Sequence, residues 1–314
     1  MAKRRVLGCP LPILIGVVLL FLVLSVVGFL AGPIGSNMFG DVGLPGWISV
    51  PAPEPHLPAP VLFHILGLPI TNSIIASWIT MVFLIVVCFL ATRRMKVVPG
   101  RFQAAFEFLL GWIYDLCNSI AGEENGRRFF PIICTIFLYV AFNGWLSLIP
   151  GFGSILFGHH ELLRGANTDV NTPLAIALVS FVFVEYYGLK TLGISYMRKF
   201  LNFGPLFGSI GKIFTGKVKA GFSGLFSGFV DIFVGVLETL SELIRIVSFT
   251  FRLFGNMTAG EILLLIAAFL VPWILALPFY GLEMLVSFVQ ALIFSGLTLV
   301  FVTMAVTPHG AESH

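Results

Sequence analysis

Between Glu238 and Glu261 the chain reads ETLSELIRIVSFTFRLFGNMTAGE, and it continues as ILLLIAAFLV. Carboxylates, arginines, serines and an asparagine are set inside sequence apolar enough to lie in a bilayer. An arginine at the centre of a membrane helix costs about 2.5–3.5 kcal/mol on insertion scales. The direction of these side chains therefore constrains everything the rest of the chain can build. On a helix at about 100° per residue, Arg245 lies about 20° from Arg252, and Ser241 lies about 20° to the other side. Ser248 and Asn256 fall about 40° to either side, Glu238 about 40° and Glu242 about 80° away. These polar groups share one arc, and the remaining surface is Leu, Ile, Val and Phe. Glu261 projects about 180° from Arg252. The helix is expected to show a polar stripe to one neighbour and a single carboxylate to another. Gly255 and Gly260 are places where that phase can shift.

The surroundings support a bilayer rather than a soluble core. Hydrophobic residues make up 58% of 314 and charged residues 11%, whereas soluble domains carry about 25% charged. Mean hydropathy is +1.01. The fold class is an all-α membrane protein. The net charge of +3 is too small to argue for nucleic acid as a partner. The basic residues fall in short clusters between apolar runs, the pattern that sets membrane orientation. The cysteines Cys9, Cys88, Cys117 and Cys134 form no metal-type pair and read as reduced structural thiols. No phosphate-binding GxxxxGK[ST] loop, HExxH or GxSxG is present, which argues against nucleotide hydrolysis by this chain. Neither a metal nor a cofactor is implied.

Taken in order, Lys3, Arg4 and Arg5 precede an apolar run from Leu11 to Ala31. It is long enough to span a bilayer core of about 30 Å and reads as a retained transmembrane segment or signal anchor, a cleaved signal being the other reading. The tribasic start places the N-terminus in the cytoplasm. Residues 32–72 are rich in Pro and Gly and are expected as an outer loop. Residues 73–314 are expected to form the main membrane domain, with spans at about 73–91, 129–149 and 173–192 and a hairpin at about 230–271 and 279–306. The second span ends in Thr92-Arg93-Arg94-Met95-Lys96, again basic and again cytoplasmic. Between spans, residues 101–122 interrupt Phe, Leu and Trp with Gln103, Glu107, Asp115 and Asn118, the pattern of an amphipathic helix at the membrane surface. Glu123, Glu124, Arg127 and Arg128 mark a polar turn.

The loop 151–172 faces outside by alternation and holds His159, His160, Glu161, Arg164, Asp169 and Asn171. It reads either as a proton entrance or as a solvated loop. The fourth span carries Glu185 beside Tyr186 and Tyr187. A third basic stretch follows, with Arg198, Lys199, Lys212, Lys217 and Lys219. A helix from Glu238 to Val271 would be about 51 Å long and the last one, Phe279 to Val306, about 42 Å. Both exceed the hydrocarbon core, so a kinked or strongly tilted hairpin is expected, with Pro272 and Pro278 bracketing its turn. On the last helix Glu283, Ser287 and Gln290 share one side. Glu261 and Glu283 then lie on the two arms of one hairpin, and with Gln290 they would line a wet crevice.

FRLFGNMTAGE, Phe251 to Glu261, resembles the signature of the a subunit of the rotary F-type ATP synthase. VPGRFQAAFEFLLGW at 98–112, NTDVNTPLAIAL at 167–178 and VQALIFSGLT at 289–298 are similar to further segments of that family. The resemblance covers about residues 60–306 and leaves out the first span and the proline-rich loop. It implies that Arg252 is the family's essential arginine, facing a ring of c subunits. It implies an outer half-channel along Asn256, Glu261, Glu283 and Gln290, and an inner one along Glu238, Ser241, Glu242, Arg245 and Ser248. Many members carry histidine where this chain has Glu283, so the family's acid–histidine pairing does not transfer. Implied partners are the c-subunit ring, b-type peripheral stalk subunits, the rest of the synthase and the lipid bilayer. The implied location is a bacterial plasma membrane. A stand-alone ion channel or secondary transporter is the alternative; it predicts an internal repeat or substrate pocket, and no repeat is apparent. A structural scaffold predicts a silent Arg252. Against a merely structural role, the positions three and four residues from Arg252 are Ser248, Phe249, Gly255 and Asn256, so no acid at those positions on its own helix pairs with it.

Overall fold

The computed structural model describes residues 5–6, 9–39, 59–65, 67–93, 95–149, 152, 156–157, 160–161, 163–197, 218–270 and 276–307. The proline-rich centre of the outer loop, His159, Arg198, Lys199, Lys212, Lys217, Pro272 and the polar tail lie outside the described residues, as do the side chains of His160, Glu161 and Lys219. Helices dominate: α1 Leu11–Ala31, α2 Pro33–Phe39, α3 Asn72–Thr92, α4 Arg101–Ser147, α5 Asn171–Leu192, α6 Ile194–Met197, α7 Val218–Leu270 and α8 Leu277–Val306. Three short antiparallel hairpins accompany them: β1 Arg5–Val6 with β2 Cys9–Pro10, β3 Val61–Ile65 with β4 Leu68–Thr71, and β5 Leu156–Phe157 with β6 His160–Glu161. The sequence 32–72 is thus not loop alone; α2 and the β3–β4 hairpin occupy its two ends. Among the described residues, five helices are long and apolar enough to cross a membrane.

The surface helix and the third span meet at a kink within α4, and the polar stretch 123–128 is helical rather than a turn. The break falls one step earlier, at Gly122, with φ 77° and ψ 164°. That backbone region is almost closed to any residue with a Cβ. Glu124 and Arg128, read from the sequence as part of a polar turn, instead form an i,i+4 pair at 2.7 Å on the first turns after the break. Gly122→Ala is therefore expected to cost about 1–3 kcal/mol. Thermal unfolding of the purified complex, followed on this subunit, measures it; an unchanged midpoint would contradict the strain.

Helix α7 is 53 residues long, about 80 Å at 1.5 Å per residue. Gly255 and Gly260 sit inside it without ending it. With the 30 residues of α8, about 45 Å, both arms exceed the hydrocarbon thickness of about 30 Å. The core forms where α4 and α8 lie along one another, with α5 against both α7 and α8. Phe129, Ile133, Phe137 and Val140 of α4 recur at helical spacing and are buried against Phe294, Leu299 and Val302 of α8 and Phe249, Leu253 and Met257 of α7. Gly144 lets α4 and α8 approach closely, since a Cβ there would strike the Ser287 hydroxyl. Trp112 ties the surface half of α4 to this core, stacked on Phe288 and edge-on to Phe137.

Candidate functional site

The segment before α5 is pinned before it can shape anything. Ser73 at the start of α3 donates to Asp169 at 2.6 Å, and the other oxygen of Asp169 accepts from Asn171. Asn143, a polar residue inside the apolar part of α4, donates to Thr80 of α3 and accepts from the backbone N–H of Asn167. These bonds hold residues 163–169 down over the ends of α4 and α7. Arg164, nearly buried, is thereby aimed at Glu261: its Nε and Nη2 donate to one carboxylate oxygen at 3.3 and 3.2 Å, and Nε lies 3.2 Å from the other. Thus the carboxylate that the helical wheel turns away from Arg252 meets a different arginine.

A cavity of about 80 Å³ lies beside this pair, lined by Asn143, Arg164, Asn167, Glu261 and Glu283 among others. Both polar atoms of the Asn167 amide are buried without a protein partner. An orphaned buried amide is satisfied by water where the space is polar and roomy enough, and this cavity meets both conditions. On its far side Glu283 is buried, with its carboxyl group packed on the bare backbone of Gly260. A Cβ at residue 260 would overlap that carboxyl group. Glu283 also lines a second, open groove of about 440 Å³ together with Asn256, Gly260 and Gln290. One carboxyl group therefore touches both spaces. Asn256 is exposed on α7 one turn beyond Arg252, and Gln290 is buried on α8. Glu261 and Glu283 share the smaller cavity, while Gln290 and Asn256 reach only the larger groove.

Arg252 is half-buried, its guanidinium 5.8 Å from the centre of the Phe249 ring. Among the described residues no carboxylate lies within ion-pairing distance of it. Residues 74–303 match the family model described as ATP synthase A chain. The chain belongs to that family. Proton translocation within an F-type ATP synthase is the function that this membership carries. The chain is 31% identical over 231 residues to ATP synthase subunit a 3 of Pelobacter propionicus, covering 74% of this chain and 86% of that one. It is 34% identical over 233 residues to ATP synthase subunit a of Desulfosudis oleivorans, covering 73% and 85%. It is 27% identical over 249 residues to ATP synthase subunit a of Moorella thermoacetica, covering 79% and 96%. As an ATP synthase A chain with five span-length helices among the described residues and bacterial relatives, it is a multi-pass bacterial membrane protein. Its helix α1 precedes the matched segment.

At the other end of α7 the polar arc divides. Ser241 and Ser248 are exposed and Glu238 is half-buried, so these stay on the outer aspect of the helix. Glu242 is buried and lies 2.6 Å from Arg245, a charge contact whose geometry is not that of an aligned hydrogen bond. Arg245 in turn covers the Phe301 ring of α8 at 3.7 Å, a cation–π contact. This pair faces the subunit's own core. Nearby, the Tyr196 hydroxyl donates to Glu185 at 3.1 Å. Burial first, and then the Glu185 charge, push the Tyr196 hydroxyl well above the usual phenol range, so it stays a neutral donor outside the spans.

Asn143 and Asn167 are site components to which no role attaches in the sequence; Arg164 is read there only within a possible proton entrance, and Gly260 only as a place where the helix phase can shift. An asparagine in an apolar span is the signal that flags Asn143. For Gly260 the only sign is a glycine beside a carboxylate.

Proposed function

We propose that this ATP synthase A chain conducts protons through two aqueous half-channels that end on either side of Arg252. The outer path runs from the Arg164–Glu261 mouth through the polar cavity to Glu283, and from there along the groove of Asn256 and Gln290. The observation that carries it is the Glu283 carboxyl, which lines both spaces and is the only titratable side chain lining both among the described residues. A carboxyl group there takes a proton from one side and passes it to the other, chemistry that Gln290 and Asn256 support only by orienting. The inner path runs along the exposed Ser241 and Ser248, with Glu238 at its cytoplasmic end and Glu242–Arg245 as its packed wall.

Arg252 would face a carboxylate on each passing c subunit. A protonated carboxyl can cross lipid while an ionised one is too costly there. Beside a guanidinium the ionised form is favoured, so the proton is released at this point. An arginine does not give up its own proton, so it also blocks a direct leak between the paths. Partners are then the c ring, the b-type stalk and the remaining synthase subunits. Nucleotide chemistry belongs to those other subunits, and the N-terminus of α1 lies in the cytoplasm of a bacterial plasma membrane.

Thiol accessibility tests the two paths. In oriented vesicles carrying the whole complex, Gln290→Cys is expected to react with a membrane-impermeant thiol reagent from the outer face only. Ser241→Cys is expected to react from the cytoplasmic face only. Reaction of both from the same face would overturn the two-path reading.

A further inference from the structure

A pocket of about 420 Å³ at the end of α5 is assigned no part in proton transfer; it is lined by Arg128, Tyr187, Lys190 and Thr191. It lies between two membrane helices. Arg128 stands one residue before Phe129, where the apolar run of the second half of α4 begins, and Lys190 occupies the last turn of α5. The positive-inside pattern places both at the cytoplasmic boundary of the bilayer. We propose that this pocket binds the phosphate of an anionic glycerophospholipid of the cytoplasmic leaflet.

The pocket presents its cations on a rigid wall. Tyr187 is wedged edge-on against Phe129 at 5.0 Å and against Phe183 at 5.0 Å, and Phe129 also meets Phe183. Lys190 is held with its ammonium 5.6 Å and 5.8 Å from the rings of Tyr186 and Tyr187. Among the described residues no carboxylate pairs with Lys190. Arg128 gives one nitrogen to Glu124 and remains more than half exposed, so the other donors of its fork stay available. Tyr187 and Thr191 add hydroxyl donors. A basic pocket between membrane helices on the cytoplasmic side suits a phospholipid head group.

The neighbouring surface selects a lipid over free phosphate. From Lys190 an exposed apolar strip descends α5 through Leu189, Tyr186, Val182 and Val179, at the spacing of one helix face. A phosphate seated on Arg128 and Lys190 would lay its acyl chains along that strip. Inorganic phosphate uses the cations but gains nothing from it.

The test uses the whole complex in bilayers of phosphatidylcholine with a photoactivatable phosphatidylglycerol. Labelled peptides of this subunit are expected to map to the end of α5 and the adjoining turn of α4. The double variant Arg128→Gln/Lys190→Gln is expected to lower that labelling by about thirtyfold, at about a factor of five per cation removed near the surface. Lys190→Gln alone, at an exposed position, is expected to lower it about fivefold and keeps the test open if the double variant does not assemble. The variant Arg128→Lys/Lys190→Arg is expected to retain most of it. Labelling of wild type elsewhere only, labelling unchanged in Lys190→Gln, or displacement of the lipid by inorganic phosphate would each overturn the proposal.

Discussion

Arg252→Ala is expected to abolish ATP-driven proton pumping in vesicles carrying the assembled complex, while the subunit stays folded and inserted. The expectation follows from the surroundings of the side chain. Among the described residues its charged group meets a ring at 5.8 Å, near the limit of a cation–π interaction, and no carboxylate, so removing it breaks no ion pair there. Truncation is expected to change stability within about 0.5 kcal/mol, as for a partly exposed residue without a buried partner. The functional cost is of another order. Without a fixed positive charge, a carboxylate arriving from the ring has no counter-charge, and keeping it ionised in an apolar setting costs several kcal/mol. Protons then either stay bound or leak between the two paths. Arg252→Lys keeps the charge but loses the planar fork and should remain severely impaired. Measured as dye quenching on ATP addition, near-normal pumping by Arg252→Ala would overturn the assignment of this residue.

The second large effect is expected from a residue with no side chain. Gly260→Ala places a methyl group where the Glu283 carboxyl group now lies. Either the carboxyl group swings away or α7 and α8 part. Overpacking of this kind costs about 1–3 kcal/mol, and a displaced proton-transfer group can lose about a hundredfold in rate. Pumping by Gly260→Ala should therefore fall by about tenfold to a hundredfold, more than its loss of stability explains. Glu283→Asp in the same background withdraws the carboxyl group by one methylene and should recover part of the loss. Glu283→Gln in the native background preserves packing and removes the titrating group; it should lower pumping without lowering stability. Full pumping by Gly260→Ala would show that the notch does not matter.

What the sequence makes legible follows from which physical signals survive in one dimension. Arg252 is readable because a charge in an apolar run without an i±3 or i±4 acid is expensive wherever the chain folds. Glu283 and Gln290 are readable because helical spacing puts them on one side, whatever they face. The partner of Glu261 is not readable: Arg164 lies 97 residues away along the chain, and its aim depends on the Asn143, Thr80, Ser73 and Asp169 bonds that fix the outer loop. Nor does the polar arc reveal its own division. Glu242 and Arg245 turn inward because Phe301, on another helix, offers a ring to cover. Glycine carries the least signal of all. Gly122 and Gly260 each decide a local arrangement, one through a positive φ and the other through an empty space.

Helix α7 has a mechanical consequence. It runs as one uninterrupted rod past Arg252, backed by α5 and α8. A ring turning against its exposed face would push sideways on it with every step. A hinge in this helix would convert each push into local bending, and elastic work would be lost within the subunit. An unbroken rod braced along its length instead deflects as a beam and passes the reaction force to the helices behind it. On the proposed reading α7 would be the subunit's bearing surface: a rod that keeps Arg252 in register would also let the rotor do work against something that does not yield.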